Sequence, residues 1–228
     1  MNKWTYCLLG LFSASSFSYE MSPMYQDLKE VGKQAQGTYT LYNSEDKPLM
    51  IESSVYHIHY NQKTKQETSV LDEGSFLILP PQAIIQPNTT QRFVVRYLGK
   101  TKLNDTQIYR VNFEQVSITP EVETENSEIE MLFNFSTLAF VSPNDCIPTS
   151  SSKVASGELL IENTSRCLLD MSELKFNFES SSKSKSYNWD ELSLKSKSIY
   201  LLPSQQVSFS LPKELAAYTS VSSKLKSE

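Results

Sequence analysis

Two cysteine residues offer the most definite chemistry in this sequence. Cys146 and Cys167 remain once Cys7 is removed with an N-terminal segment that we interpret as a cleaved signal. An even number of cysteines in a chain that enters an oxidising compartment favours a disulfide bond. A bond between Cys146 and Cys167 would close a loop of about twenty residues and stabilise the fold by roughly 3 kcal/mol. The alternative is a pair of buried free thiols.

His57 and His59 are the residues that could bind a metal ion from a strand. They lie two positions apart within Leu49–Tyr60, so they share one face of a predicted strand. Because no cysteine or carboxylate cluster completes such a site, we expect no metal and interpret both histidines as surface or edge residues. The sequence also lacks a Gly-x-Ser-x-Gly motif and a phosphate loop. We therefore expect no cofactor and no enzymatic activity.

Residues 1–18 have the features of a secretory signal peptide. Met1-Asn2-Lys3 carries one positive charge, Trp4–Phe12 is mostly apolar, and Ser16-Phe17-Ser18 places small residues at a cleavage site. The mature chain is therefore predicted to begin at Tyr19 and to be exported. No later segment is apolar enough over about 18 residues to predict membrane insertion. A net charge of −5 without a basic face argues against a nucleic-acid partner.

The rest of the chain alternates between short strand patterns and turn signals. Alternation in Thr38–Tyr42, Leu49–Tyr60, Gln91–Leu98 and Ile108–Val116 predicts strands, and the polar stretch Asn61–Gly74 predicts a loop. About seven strands at regular spacing, with almost no helical periodicity, predict an all-β chain with an immunoglobulin-like β-sandwich. Residues 144–228 continue the strand pattern after Pro143. We expect an N-terminal domain at 19–143 and a second β-sandwich domain at 144–228.

The stretch Glu128–Val141 has the clearest strand pattern. Ile129, Met131, Phe133 and Phe135 recur every second residue and therefore form one apolar row. The simpler interpretation is a core strand of the sandwich. The other is a row offered to a second protein by strand addition, in which main-chain hydrogen bonds give affinity and alternate side chains fill pockets.

A combination of motifs in the first predicted domain points to a family. The motifs are Leu79-Pro80-Pro81-Gln82, Gln86-Pro87, Gln91-Arg92-Phe93-Val94-Val95-Arg96, Tyr109-Arg110-Val111-Asn112-Phe113-Glu114 and the alternating strand that ends at Pro143. Over most of Tyr19–Pro143 the chain resembles the PapD-like periplasmic chaperones of fimbrial assembly. Tyr25-Gln26-Asp27-Leu28-Lys29 and the Tyr109 motif look most like the alternative branch, which serves colonisation-factor type pili. The second domain matches this family only in length and strand content.

The resemblance implies a fold, a location and a function. It implies two sandwich domains in a boomerang arrangement and a periplasmic chaperone. Such a chaperone binds pilus subunits, both pilins and tip adhesins, by donor-strand complementation and delivers them to an outer-membrane usher. Ile129, Met131, Phe133 and Phe135 would be the donor residues. Self-association of the free protein is a further expectation, because an exposed apolar strand is prone to pair with another strand.

One feature of the family is missing. Its members usually carry two basic residues in the interdomain cleft, which anchor the C-terminal carboxylate of the subunit. In this chain the two positions fall near Asp27 and near Thr137 or Leu138, and none of these residues is basic.

Arg110, Arg96 and Arg92 are the nearest basic candidates for the anchor. We favour Arg110, because it begins a strand that should run antiparallel to Ile129–Val141 and because it faces away from Tyr109 and Val111. The guanidinium fork can donate to both oxygens of a carboxylate. The alternative is that Arg110 pairs with a structural carboxylate such as Glu114 or Asp145.

Two other interpretations were weighed. An exported structural pilus subunit or adhesin should lack its final strand and carry a free N-terminal donor segment, whereas this chain has the strand internally and a further domain after it. The lysines of Ser180–Lys185, with Lys195 and Lys197, could form a basic contact patch on the second domain. A solvated hairpin loop explains them equally simply.

Overall fold

The structure is a computed structural model that describes residues 19–61, 64, 66–99, 102–117, 132–192, 194, 198–215 and 217–226. The predicted signal at 1–18 lies outside the described residues. So does the segment 118–131, which includes Ile129 and Met131. Within the described part, the chain is built from strands with three short 3-10 helices, and none of its helices is long and apolar enough to cross a membrane. The predicted all-β class is confirmed.

Ten described strands form the first sandwich. They are β1 (Glu20–Ser22), β2 (Tyr25–Lys29), β3 (Gln36–Asn43), β4 (Leu49–Asn61), β5 (Gln66–Leu71), β6 (Phe76–Leu79), β7 (Gln82–Ile85), β8 (Thr89–Tyr97), β9 (Gln107–Val116) and β10 (Asn134–Ser142). One sheet has the order β1-β3-β8-β6, and the other has the order β2-β10-β9-β4-β5 with β7 paired to β4. The core lies between the two sheets.

Aromatic side chains join the two sheets at the centre of this core. Tyr39 and Phe93 come from the first sheet and Phe113 from the second, and all three are fully buried. The Phe113 ring centroid lies 4.8 Å from that of Phe93 and 5.4 Å from that of Tyr39. The predicted alternation in β9 is therefore confirmed, since Tyr109, Val111 and Phe113 all face this core.

The N-terminal segment Glu20–Lys29 contributes one strand to each sheet. β1 pairs antiparallel with β3, and after Pro23 the chain crosses to the other sheet, where β2 pairs parallel with β10. Proline has no N–H for a ladder bond, so the pairing is interrupted at Pro23, between β1 and β2. The crossing places β2 beside the C-terminal part of β10.

The prediction of a loop over Asn61–Gly74 is wrong. Residues Gln66–Leu71 form β5, an edge strand that pairs antiparallel with β4 from Tyr56 to Asn61. All six residues of β5 are exposed. A strand with water on both faces has no alternation of apolar and polar residues, so its sequence resembles that of a polar loop.

The second half of the chain has its own core. Its strands are β11 (Ser150–Ala155), β12 (Glu158–Asn163), β13 (Leu169–Asp170), β14 (Leu174–Glu179), β15 (Ser184–Asn188), β16 (Tyr200–Leu201), β17 (Gln206–Ser210) and β18 (Ser220–Leu225). They form the sheets β11-β12-β17, β13-β16 and β15-β14-β18. Phe176, Phe178 and Trp189 are central to the core. The chain turns as a hairpin at Ser180–Lys185, where the Ser180 amide donates to the Lys183 carbonyl at 2.8 Å between β14 and β15, whereas Lys195 and Lys197 lie outside the described residues.

A disulfide bond and two ion pairs connect the two halves of the chain just after β10. The predicted disulfide between Cys146 and Cys167 is confirmed. Next to it, Asp145 pairs with Arg166 at 3.0 Å and with Lys102 at 2.9 Å. These bonds link the end of β10, the loop before β9 and the start of β13, so the junction is held at several points.

Candidate functional site

β10 is paired along its whole length on one side and along only part of its length on the other. β9 pairs with Asn134–Val141, whereas β2 pairs only with Leu138–Ser142. Within the described residues, the segment Asn134–Thr137 therefore forms an open edge on the β2 side. An open edge is a template for pairing with another chain.

The backbone of this open edge is oriented for such pairing. The Gln115 amide donates to the Phe133 carbonyl at 2.8 Å on the β9 side. Backbone groups of successive residues in a strand point to alternate sides. The N–H and C=O groups of Asn134 and Ser136 therefore point away from β9, toward the open side. Farther along, the Leu138 amide points the same way and donates to the Met24 carbonyl at 3.0 Å.

The core-facing row of β10 runs from solvent into the sandwich. Phe133 is 41% exposed, Phe135 is partly buried against the core, and Ala139 and Val141 are fully buried. The ring of Tyr19 packs on the exposed end, with its centroid 4.8 Å from that of Phe133 and 6.4 Å from that of Phe135. The structure thus brings two of the four predicted donor residues together at the open edge.

Arg110 lies on the opposite, outer face of the same sheet. In the ladder it stands across from Leu138 of β10 on one side and Tyr56 of β4 on the other. Its Nη2 lies 2.8 Å from Oε1 of Glu67, and the two side chains are 30% and 42% exposed. Arg110 is therefore a neighbour of Leu138, near which members of the resembled family usually carry a basic residue, and its carboxylate partner comes from β5.

The two carboxylates suggested as partners of Arg110 are bonded elsewhere. Glu114 accepts hydrogen bonds from Asn112 Nδ2 at 3.3 Å and from Ser54 Oγ at 3.4 Å. Asp145 lies at the junction with Lys102 and Arg166. Arg110 thus pairs with a carboxylate, as the alternative interpretation expected, but the partner is Glu67 and not Glu114 or Asp145, which were given as examples.

Arg92 and Arg96 lie in the other sheet. Both are on β8, where Arg92 stands across from Thr40 and Arg96 across from Gln36. Both are exposed on the outer face of that sheet, since the neighbouring Phe93 and Val95 face the core. The structure does not bring them together with β10.

The cleft end of the outer face is apolar. Phe140 of β10 and Ile58 of β4 are buried there although they point away from the sandwich core. Tyr200 of the second half covers this face, with its ring centroid 5.8 Å from that of Phe140 and 4.6 Å from that of Tyr25. A cleft of about 410 Å³ continues between the ends of β4 and β9, including Ile108, and the turn Leu202–Ser204.

Asp27, where a basic residue was expected, lies at the same end. It stands across from Phe140 in the parallel ladder. Although part of its surface is exposed, the surrounding chain withdraws the carboxyl from water and raises its pKa, and the nearby carboxylate of Asp170 adds to this rise. The cleft therefore has an acidic group at one of the two positions and the Arg110 guanidinium beside the other.

The two histidines are neighbours, with their ring centroids 4.2 Å apart. His57 is half-buried, stacks on Tyr109 at 4.8 Å between centroids and contacts Gln107 Oε1 at 3.0 Å, and His59 is exposed. Among the described residues, no group of three or more histidine, cysteine or acidic side chains is arranged to hold a metal ion.

Comparison with known families identifies the fold of the first half. A family model for the PapD N-terminal domain, described as a pili and flagellar-assembly chaperone, matches residues 29–146, just over half of the chain. The chain belongs to this chaperone family. A search of curated protein sequences finds no match. The matched residues of this chaperone include β3–β10 and therefore both the open edge and Arg110.

Solved structures agree on the fold of the whole chaperone. A chain from the chaperone–tip adhesin complex of CFA/I fimbriae biogenesis is similar at 17% identity and a TM-score of 0.55, with 92% of each chain covered. The class 5 fimbriae chaperone CfaA is similar at 15% identity and 0.55, with 92% of this chain and all of that chain covered. The structure of the Salmonella enterica SafA pilin with the SafB chaperone is similar at 14% and 0.51, with 94% and 99% covered. These likenesses agree with the predicted two-domain β-sandwich fold and include colonisation-factor relatives.

Three residues of the site were not recognised from the sequence. Leu138 was named only as a position without a basic residue, and Tyr19 only as the predicted first residue. Glu67 was placed in a loop. Each acquires its place through a partner distant in sequence, so no local pattern could have indicated it.

Proposed function

We propose that this chaperone binds pilus subunits by donor-strand complementation in the periplasm and delivers them to an outer-membrane usher. The observation that carries the proposal is the half-paired strand β10. Its C-terminal part is a core strand of the chaperone, and its N-terminal part offers backbone hydrogen-bonding groups and an apolar row at an open edge. The two interpretations of Glu128–Val141 therefore apply to different parts of one strand.

Burial of the apolar row would supply the favourable free energy of binding. Phe133 and Phe135, with Ile129 and Met131 as predicted members outside the described residues, would enter the groove of a subunit that lacks its own final strand. Full burial of an apolar side chain is worth roughly 1.5–3 kcal/mol. The loss of translational freedom and the ordering of both partners offset much of this sum.

Arg110 is the proposed anchor of the subunit's C-terminal carboxylate. It is the candidate on the sheet that contains β10, and it lies beside the cleft rather than on the outer face of the other sheet. Pilins and tip adhesins are the proposed partners, because two of the similar structures are of a chaperone with a tip adhesin and of a chaperone with a pilin. The disulfide between Cys146 and Cys167 supports export to an oxidising compartment.

The test is co-purification from the periplasm. The tagged chaperone is expressed with each candidate pilin of its own cell, and the pilin that elutes at one-to-one is quantified. The Phe133→Glu variant should lose it, because a carboxylate would have to enter an apolar groove. Leu77→Glu is the matched control, since Leu77 is also 41% exposed but lies on β6 of the other sheet. A pilin retained equally by both variants would refute binding through β10.

A further inference from the structure

We propose that Glu67 occupies the carboxylate site of Arg110 in the free chaperone, and that the C-terminal carboxylate of a subunit must replace it. Glu67 is then a competitor within the chain that lowers the affinity for subunits and speeds their release. This inference rests on the proposed function, because it assumes that Arg110 receives the subunit.

The geometry of the ion pair is that of an occupied anion site. Oε1 of Glu67 lies 2.8 Å from Nη2 of Arg110, and both side chains retain contact with water. A guanidinium prefers carboxylates to other acceptors and bonds them through its planar fork. An incoming carboxylate and Glu67 therefore compete for the same donors.

The exposed position of β5 allows the Glu67 side chain to move away from Arg110. All six residues of β5 are exposed, and among the described residues β5 is the last strand of its sheet and pairs with β4 alone. Rotating the Glu67 side chain away from Arg110 would therefore uncover no core residue. An exposed ion pair contributes little net free energy, so its exchange for another carboxylate has a small cost.

A carboxylate can approach Arg110 from the interdomain cleft. Ile108, two residues before Arg110 on the same face of β9, lines the cleft of about 410 Å³. Tyr60, which stands across from Glu67 in the β4–β5 ladder, lines it too. Arg110 and Glu67 are thus each next to a residue that lines the cleft, and on the proposed function a chain terminus would approach from that side.

Exchange also keeps the positive charge of Arg110 neutralised beside an apolar surface. Leu138 stands directly across the ladder, and the buried Phe140 follows on the same face. A cation without a counter-charge beside such groups is unfavourable. With Glu67 present, the guanidinium has a carboxylate partner both before and after a subunit binds.

The substitution Glu67→Gln tests the competition. We expect the complex with a captured pilin to dissociate two- to five-fold more slowly, which is the effect expected from loss of one exposed ion-pair competitor. Glu73→Gln removes the same charge from an exposed position in the turn after β5 and should leave the rate unchanged. In the Arg110→Ala background, which is expected to lose capture, Glu67→Gln should not restore it, because the cation for which the carboxylates compete is absent.

The outcomes separate this inference from the proposed function. Capture that depends on Phe133 but dissociates equally fast in wild type and Glu67→Gln would overturn the inference and leave donor-strand binding intact. Faster dissociation in Glu67→Gln would also overturn it, because Glu67 would then position Arg110. Failure of the wild type to capture any pilin would overturn both.

A second measurement needs no subunit. Acetate is titrated into the full chaperone, and the side-chain Nε–H resonance of Arg110 is followed by NMR. Acetate should shift this resonance at two- to five-fold lower concentration in Glu67→Gln than in wild type or Glu73→Gln. Identical titrations in all three proteins, with unchanged thermal unfolding, would refute an occupied carboxylate site.

Discussion

Arg110 and Leu138 are directly opposite one another in the antiparallel ladder of β9 and β10, on the outer face of the sheet. Directly opposed side chains have Cβ atoms about 4.5–5.5 Å apart. A cation on β9 can therefore serve the space in which the family's basic residue would project from β10. On the proposed function, the anchoring cation would therefore be on β9 and not on β10.

This neighbour relationship predicts a rescue. Arg110→Ala should abolish pilin capture while leaving the chaperone folded, and adding Leu138→Lys should restore part of the capture, because the new ammonium reaches the same space. Capture is measured by periplasmic co-purification, with circular dichroism as the check on folding. Arg92→Ala and Arg96→Ala, on the other sheet, are the controls and should bind normally. A double variant that binds no better than Arg110→Ala would show that the position of the cation is not interchangeable.

The two described donor residues should differ in their effect on the free chaperone. Phe135 packs partly against the core, so Phe135→Ala should lower the free energy of unfolding by about 1–3 kcal/mol, less than the 3–5 kcal/mol of a fully buried phenylalanine. Phe133 is more exposed, and Phe133→Ala should stay within about 0.5 kcal/mol of wild type. Urea unfolding measures both. Equal losses in the two variants would contradict the division of β10 at this point.

The fold was predictable where one face of a strand is buried. Tyr109, Val111 and Phe113 alternate with Arg110, Asn112 and Glu114 because one side of β9 meets the core and the other holds partly buried polar side chains, so the sequence shows the strand directly. β5, β11, β15 and β18 carry serine, lysine and glutamine on largely exposed positions. Their strand conformation depends on hydrogen bonds to neighbouring strands, which leave no pattern in composition.

Only those features of the site that depend on a single strand could be predicted from the sequence. The row containing Phe133 and Phe135 and the outward direction of Arg110 followed from alternation. The open edge did not, because it depends on where β2 begins, and β2 begins at Tyr25, just after the chain changes sheet at Pro23. The sequence did not indicate Glu67 as the partner of Arg110, because Glu67 belongs to an exposed strand whose polar sequence is typical of a loop.

The disulfide should be a major part of the stability of the chaperone. The bonded cysteines are 21 residues apart, and replacing both with serine should lower the free energy of unfolding by roughly 3 kcal/mol. Urea unfolding of the oxidised wild type and of the Cys146→Ser/Cys167→Ser variant measures the difference. Dithiothreitol should destabilise the wild type and leave the variant unchanged. If the two proteins unfold at the same urea concentration, the bond does not stabilise the native state.

The Asp27 carboxyl predicts a dependence of stability on pH. Withdrawal from water, with Asp170 nearby, raises its pKa above the ordinary value of 3.8, so the folded protein holds this proton more tightly than the unfolded chain. Its contribution to stability is therefore greatest below pH 3.8 and is lost as the pH rises through the folded pKa. Asp27→Asn should stabilise the protein at neutral pH and lose this advantage in acid.

Thermal unfolding at pH 7 and at pH 3.5 is the measurement for this prediction. Asp46→Asn, an exposed position in the turn before β4, controls for the loss of one negative charge. A gain from Asp27→Asn that is the same at both pH values would contradict the assignment, since it would not come from titration.

The division of β10 has a consequence for how the strand can evolve. Ala139 and Val141 must fit side chains encoded in the same gene, such as the core residues of this sandwich. On the proposed function, Phe133 must fit a groove encoded in a different gene. Across related operons, the second half of the strand should therefore covary with positions of the chaperone, and the first half with positions of the subunit. The two parts of β10 would then be under separate selective constraints, with the boundary near Thr137.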